Sequence, residues 1–289
     1  MIYGIIDIGS NSIRLLLSDG EKAIEDKKVI RTQLAQNLAS TGILCEEAMQ
    51  RSIEAIKGLC DYAKSQGATH VWPFATEAVR SAKNKEVFLG RLKDLGIDVD
   101  LLPSQYEAKL GFYGAYYGGR VGVMDVGGAS SEIAVGDENG LYYSKSIPTG
   151  IVKIKDMCHE DYNLVNSYID DKIKDYGDIP TFDELISIGG TASSFAAIAQ
   201  ELDPYDSKKV DFYRLTYKEI EDMVNRIHEL PFDERGSVKG LSLKRIDVIV
   251  GGGLLIMKIM KMLNKDSIVV RESDNQEGYL QYKLGKISM

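Results

Sequence analysis

The sequence predicts an α/β chain of two related halves that face each other across a cleft. Three observations carry this prediction. First, "IIDIGSNSIRLLLSD" (5–19) returns as "VMDVGGASSEIAVGD" (123–137). Asp7, Gly9, Ser12 and Asp19 are matched by Asp125, Gly127, Ser130 and Asp137 at one constant offset of 118 residues. Second, short apolar runs alternate with stretches of helical periodicity along the whole chain. Third, several apolar runs end in glycine turns, and two similar α/β domains placed face to face form the usual setting of a small-molecule site.

The elements follow in order. "GIIDIGS" and "IRLLLSD" read as strands around a polar turn, and "HVWPFA" (70–75) and "IDVDLL" (97–102) as further strands. Between them, 45–67 puts Met49, Ile53, Ile56 and Cys60 on one helical face and ends at Gly67, a common helix stop. The stretch 84–96 repeats that pattern. The second half restarts at "RVGVMDVGGASSEIAVGD", followed by the strand-like "LYYSKSI". Helices are expected over 161–176, 191–201, 216–229, 254–263 and 276–284. "LISIGG" and "IDVIVGG" read as buried strands leading into glycine turns. The duplication places the boundary near residue 120, giving domains 1–119 and 120–289, with the last helix free to pack back on the first domain.

Composition narrows the function. A chain of 289 residues with 44% hydrophobic content has the material for two cores, and a net charge of −8 argues against nucleic acid or an acidic membrane surface as a partner. It leaves room for a small anionic ligand in a locally basic site. Cys45, Cys60 and Cys158 lie far apart with no metal-type spacing, which suits core cysteines in a reducing cytoplasm. No basic leader precedes the first apolar run, so no secretory signal is expected. The longest apolar stretch, 248–263, contains three glycines and two lysines, a poor membrane span.

The two D-x-G-x-x-S turns carry the chemistry. Glycine lets a ligand approach the main chain closely. Successive backbone N–H groups, with Ser10, Asn11, Ser12, Ser130 and Ser131 beside them, cradle phosphate oxygens. An aspartate ending the preceding strand, Asp7 or Asp125, suits a hard cation such as Mg²⁺. One glycine hairpin is ordinary turn chemistry; two in register across two halves point to phosphate. "SIGGTASS" (187–194), with Gly190 and Thr191, and "VGGGLL" (250–255) add two strand–glycine–helix junctions of the kind that bind anions. Arg14, directly after the first turn, is a further candidate to neutralise phosphate.

Taken together, the paired "DIGSNS" and "DVGGASSE" motifs resemble the exopolyphosphatase and guanosine pentaphosphate phosphatase family. The similarity extends through "RTQLAQNLASTGILCEEAM", "FATEAVRSAKNKEVFL", "PSQYEAKLGFYGA", "GLSLKRIDVIVGGGLLI" and "ESDNQEGYL", almost the whole chain. The resemblance implies two duplicated ribonuclease-H-like domains of the actin-like ATPase type. It implies Glu107 as the residue that activates water, and Asp125 and Glu132 as acids of catalysis or metal binding, with Asp7 their first-half counterpart. It places Arg80 near the phosphate chain and Gly127, Gly128 and Ala129 in the second phosphate loop. The chain departs from the family at Gln105 and Tyr106, which replace small and acidic residues beside Glu107, and at Ala129, where glycine is more usual.

The activity implied is metal-assisted release of terminal orthophosphate from inorganic polyphosphate, with Mg²⁺ or Mn²⁺ as cofactor. The alternatives are the 5′-phosphate of guanosine pentaphosphate as substrate, or a non-catalytic sensor of polyphosphate or alarmone. A phosphotransferase of the same superfamily is a further rival. Family members often dimerise, so a homodimer is among the implied partners. His70, His159 and His228 are scattered, which argues against the His-Asp metal centre that longer relatives append.

Overall fold

The computed structural model describes residues 1–159 and 161–288. The first half runs β1 (Ile2–Ile8), β2 (Ser12–Ser18), β3 (Lys28–Arg31), α1 (Leu38–Thr41), α2 (Glu46–Ser65), β4 (Ala68–Ala75), α3 (Glu77–Ser81), α4 (Lys85–Asp94), β5 (Asp100–Leu101) and α5 (Ser104–Ala115). The second runs β6 (Val121–Val126), β7 (Ser131–Asp137), β8 (Gly140–Ile147), α6 (Ile151–Cys158), α7 (Tyr162–Lys172), β9 (Glu184–Ile188), α8 (Gly190–Ala199), α9 (Ser207–Val210), β10 (Arg214–Thr216), α10 (Tyr217–Glu229), α11 (Ile249–Met262), β11 (Ser267–Val270) and α12 (Asn275–Lys283).

The duplication read from the motifs is a duplication of topology. The first sheet has the order β3-β2-β1-β4-β5 and the second β10-β11-β9-β6-β7-β8. In both, three antiparallel strands (β1–β3, β6–β8) are followed by parallel pairing to β4 or β9. This is the ribonuclease-H-like plan in two copies, as expected. The central strands β1 and β6 are buried along most of their length because helices cover the sheets, as continuous apolar runs require.

The helices follow their apolar faces. α2 buries Met49, Ile53, Ile56 and Cys60, the predicted stripe, against β1 and β4. α10 starts at a capping box between Thr216 and Glu219 and buries Ile220, Met223, Val224 and Ile227. At the seam between the sheets, α5 packs on β6, β7 and β8, while α12 packs on α5 and β1. Their crossing is close because Gly111 and Gly114 of α5 meet Asn275 and the Asp274 backbone, and Gly278 of α12 meets the Leu110 backbone. Among the described residues no helix is long and apolar enough to cross a membrane.

Three expectations need correction. "IDVIVGG" is not a strand and "VGGGLL" is not a turn: α11 begins at Ile249 and its three glycines lie inside the helix. Glycine in a helix costs about 1 kcal/mol each relative to alanine. Here it lets helices touch, since a Cβ at Gly252 would press on Thr191 and one at Gly253 on Phe195 and Val224. The strand expected over 97–102 shrinks to Asp100–Leu101.

Candidate active site

A cleft of about 810 Å³ lies between the halves, lined by both hairpin turns, the start of α8, the segment 236–245 and the residues before α12. Its volume falls in the roughly 300–1,000 Å³ range of clefts that enclose a small ligand. The fold brings the expected residues Gly9, Ser10, Asn11, Ser12, Arg14, Gly127, Gly128, Ser130 and Gly190 to its wall, together with Asp7, Glu107, Asp125 and Glu132.

Both turns have their carbonyls tied back. In the first, the Ser10 carbonyl accepts from the Ala35 N–H at 2.9 Å, and the Asn11 carbonyl accepts from those of Thr32 and Gln33 at 3.1 and 3.0 Å. In the second, the first turn of α6 does the same work. The N–H groups of Ile151 and Val152 donate to the carbonyls of Gly127 and Gly128 at 2.9 and 2.8 Å. The N–H groups of Ser10, Asn11, Gly128 and Ala129 have no protein acceptor among the described residues. Turns that fix their carbonyls behind them and leave their N–H groups unpaired are anion cradles.

The acids are set by strand register. Asp7 lies directly across from Arg14 in the β1–β2 pair, and Asp125 directly across from Glu132 in the β6–β7 pair. Asp7 Oδ2 accepts from Arg14 Nη2 at 2.5 Å and from Nε at 3.0 Å. The same guanidinium pairs with Asp274, which Lys27 also engages at 3.0 Å. Burial opposes charge on Asp274, yet Arg14 and Lys27 hold it down to about 2. The second hairpin has no such cation. Burial pushes Asp125 up to about 6 against the pull of the more distant Arg14 charge, with Asp274 and Asp7 adding to the rise. Glu132 is pushed well above the usual carboxylate range by burial and by the charges of Glu107 and Asp125.

Each acid is also held in place. Glu132 accepts from Ser146 Oγ at 2.6 Å, and Asp125 from Asn275 Nδ2 at 3.2 Å. Gly189, at φ +85°, leaves room beside Asp125, where a Cβ would stand 2.5 Å from its Oδ1. Asn275 opens α12, whose capping box joins Asp274 and Glu277. The adjacent Gln276 donates to the carbonyls of Ile5 and Arg14 at 2.8 and 3.2 Å. One helix end thus holds both hairpins.

Glu107, on the first turns of α5, is 4% exposed. Arg80 Nη1 donates to its Oε1 at 2.5 Å. Burial outweighs that pairing, with Glu77 and Asp7 reinforcing it, and the carboxyl rises to about 8. Among carboxyl groups, this one is poised to take a proton near neutral pH.

Four expected site residues do not line the cleft. Arg80 spends its guanidinium on Glu107, Glu77 and the Leu102 carbonyl, so it orients the acid. Ser131 accepts from the Tyr176 hydroxyl at 2.8 Å in the core, Thr191 donates to the Val126 carbonyl at 3.3 Å, and Ala129 is buried. The structure adds Arg245, which packs against Gly190 in the cleft. Burial there, with the charges of Arg14 and Arg31 nearby, pulls its pKa down to about 10. No signal in "GLSLKRID" separates this arginine from the surface lysines around it.

A divalent cation fits one hairpin better than the other. Among the described residues no three metal-binding side chains are close enough to form a ready cage. Asp7 already has Arg14 as its counter-ion. Asp125 and Glu132 are buried carboxyls directly opposite each other, and ionising both costs energy unless a cation offsets the charge.

A family model described as the Ppx/GppA phosphatase family matches residues 19–287. The chain is 26% identical to Exopolyphosphatase 2 of Mycobacterium tuberculosis, covering 94% of this chain and 95% of that protein. It is 28% identical to a bifunctional 3-dehydroquinate synthase/phosphatase of Fusobacterium nucleatum, of which it spans 45%. It is 26% identical to a guanosine-5′-triphosphate,3′-diphosphate pyrophosphatase of Photobacterium profundum, of which it spans 60%. Among solved structures, the Aquifex aeolicus member of the Ppx/GppA family superposes with a TM-score of 0.81 at 27% identity, over 100% of this chain and 99% of that one.

Proposed function

The chain belongs to the Ppx/GppA phosphatase family, and from that premise we propose that it hydrolyses the terminal phosphoanhydride bond of a linear substrate, releasing orthophosphate. Inorganic polyphosphate is the first substrate proposed and guanosine pentaphosphate the second. The observation that carries the reading is the placement of Glu107 beside two anion-cradling turns and the Asp125–Glu132 pair.

The terminal phosphates lie across the free N–H groups of the two turns, with Arg14 and Arg245 facing their oxygens. Glu107 accepts the proton of the attacking water and orients it in line with the scissile bond. Its raised pKa matches that task, because a base of pKa near the working pH combines availability with driving force. Arg80 fixes the carboxylate and moderates its pKa. Charge growing on the leaving oxygen is met by N–H donors already in place. Asp125 and Glu132 would hold a divalent cation, Mg²⁺ or Mn²⁺, whose chemistry is to offset phosphate charge and polarise P–O bonds, while Asp7 stays paired with Arg14. The two-domain division at residue 119 is part of this proposal, with α5 packed on β6, β7 and β8 of the second sheet and α12 on α5 and β1.

The test is orthophosphate release in Mg²⁺ from short polyphosphate, long polyphosphate and guanosine pentaphosphate, with wild type and Glu107→Gln. Loss of a general base removes about 10²–10⁴-fold in kcat. Release from at least one substrate that collapses in the variant is the expected result. Undiminished release by Glu107→Gln overturns the assignment.

A further inference from the structure

A carboxylate that does not line the cleft joins the two halves of the chain. Asp247 Oδ2 accepts from Arg31 Nη2 and from Lys155 Nζ, each at 2.7 Å. Arg31 ends β3 in the first sheet, and Lys155 lies in α6 of the second half. The Asp247 side chain is only 12% exposed, so both pairs are sheltered from the solvent screening that makes surface ion pairs weak. Burial opposes its charge, yet Lys155 and Arg31 hold its carboxyl below the ordinary aspartate value. Its second oxygen is buried without a hydrogen-bond partner among the described residues, so the two cations offset the cost of placing a carboxylate here.

Each cation belongs to an element that fixes one turn. Arg31 lies across from Ser12 in the β2–β3 pair, and its Nε reaches Asn11 Oδ1 at 3.5 Å. The next two residues, Thr32 and Gln33, are those whose N–H groups hold the Asn11 carbonyl. Lys155 stands one turn along the helix whose first N–H groups hold the Gly127 and Gly128 carbonyls. Asp247 is itself placed between Arg245, which packs on Gly190, and the start of α11. The start of α12 joins the strands of the two hairpins, whereas Asp247 joins the elements behind their turns.

Resting on the phosphoanhydride-hydrolase reading, we infer that Asp247 is a positioning residue that sets the spacing of the two phosphate turns, by binding Arg31 of one half and Lys155 of the other through a single oxygen. Each turn keeps its own backbone hydrogen bonds without it. What Asp247 adds is a spacing fixed before the ligand arrives. Without it, a phosphate chain that spans both turns must restore that spacing as it binds. The cost falls on affinity, and the geometry around Glu107 is the same once the chain is bound.

Two measurements test this. The first is calorimetry with inorganic tripolyphosphate in Mg²⁺, in the Glu107→Gln background where the probe survives. Asp247→Asn should bind it about 10-fold more weakly, the loss expected when the turns are correctly spaced about a tenth of the time. Arg31→Met, which leaves the buried carboxylate in place, should weaken it in the same direction. With Arg31→Met and Lys155→Met already present, Asp247→Asn should add nothing, a pattern that general damage to the fold does not produce. The second is steady-state hydrolysis by the otherwise wild-type chain, where Asp247→Asn should raise KM by that factor with kcat little changed. Misfolding would instead lower the apparent kcat at constant KM. Unchanged tripolyphosphate affinity, an undiminished effect with both cations already removed, or a loss confined to kcat overturns the inference. If wild type releases no orthophosphate from any substrate while the calorimetric pattern holds, the hydrolase reading fails and the positioning role stands.

Discussion

Arg14 and Glu132 occupy the same position in two copies of one hairpin, and one is a base where the other is an acid. Arg14 lies across from Asp7 and neutralises it; Glu132 lies across from Asp125 and repels it. The duplication preserved the geometry and made the two halves chemically different. The first hairpin supplies its own cation; in the reading proposed above, a divalent ion would serve the second.

That asymmetry predicts how metal and mutation act on stability. Glu132→Gln removes the cost of ionising both carboxyls of the buried pair, so at alkaline pH, where Glu132 would otherwise have to ionise, the metal-free variant should melt above metal-free wild type. Adding Mg²⁺ or Mn²⁺ should raise the wild-type Tm, by an amount that corresponds to about 2.7 kcal/mol at a hundredfold excess over Kd. The variant should show a much smaller metal-induced shift. Differential scanning calorimetry with and without chelator checks both. A variant that melts lower without metal and responds to metal as wild type does would contradict the account.

The raised carboxyls also set a pH dependence for the metal-free protein. Glu107 moves from 4.5 to about 8 on folding and Asp125 from 3.8 to about 6. Between those limits the folded state binds more protons than the unfolded one, so stability falls as pH rises. Chelated protein should lose Tm steadily from about pH 5 to pH 8. Denaturant midpoints across that range test the sign, and a rising Tm would refute it.

Arg80 should act on rate through Glu107. In kcat/KM, activity rises with pH as Glu107 loses its proton and levels off above about 8. Arg80→Met removes the nearest cation, so the acid limb should move to higher pH. The loss at pH 7 should be largely recovered at pH 9. An arginine that instead bound phosphate directly would raise KM at every pH, and the profile would keep its shape.

What the sequence revealed and what it hid follow physical lines. The turns were legible because glycine and serine at fixed offsets from a strand-end aspartate impose a local geometry. Register came with them, since a hairpin of that length places Arg14 opposite Asp7. The ion pair of Arg80 with Glu107 was not legible, because it depends on how α3 and α5 pack. α11 was hidden for a different reason. "VIV" favours a strand and "GGG" a turn, and only contact with Phe195, Val224 and Thr191 makes glycine useful inside a helix. Arg245 lies in a segment that carries the family resemblance, yet nothing local marks its side chain as part of the cleft, where it meets Gly190 only once the chain is folded.

The two turns touch each other, and this gives a prediction about closure. A Cβ added at Gly128 would stand 2.5 Å from Ser10 Cβ and 3.3 Å from the Asn11 nitrogen, atoms of the opposite hairpin. Neither neighbour is the free end of a flexible side chain, so Gly128→Ala must push the hairpins apart. Each hairpin keeps its own hydrogen bonds, because the Gly128 carbonyl remains bound to the first turn of α6. Stability should therefore change little more than the roughly 1–3 kcal/mol of an overpacked contact. The distance from the second turn to Arg14 and Asp7 grows, and a misplacement of about 1 Å in a catalytic constellation costs on the order of 10²-fold. Steady-state kinetics on Gly128→Ala should show that loss mainly in kcat, with Tm nearly preserved. Near-normal kcat would mean that the turns separate during catalysis and that the contact belongs to a resting form.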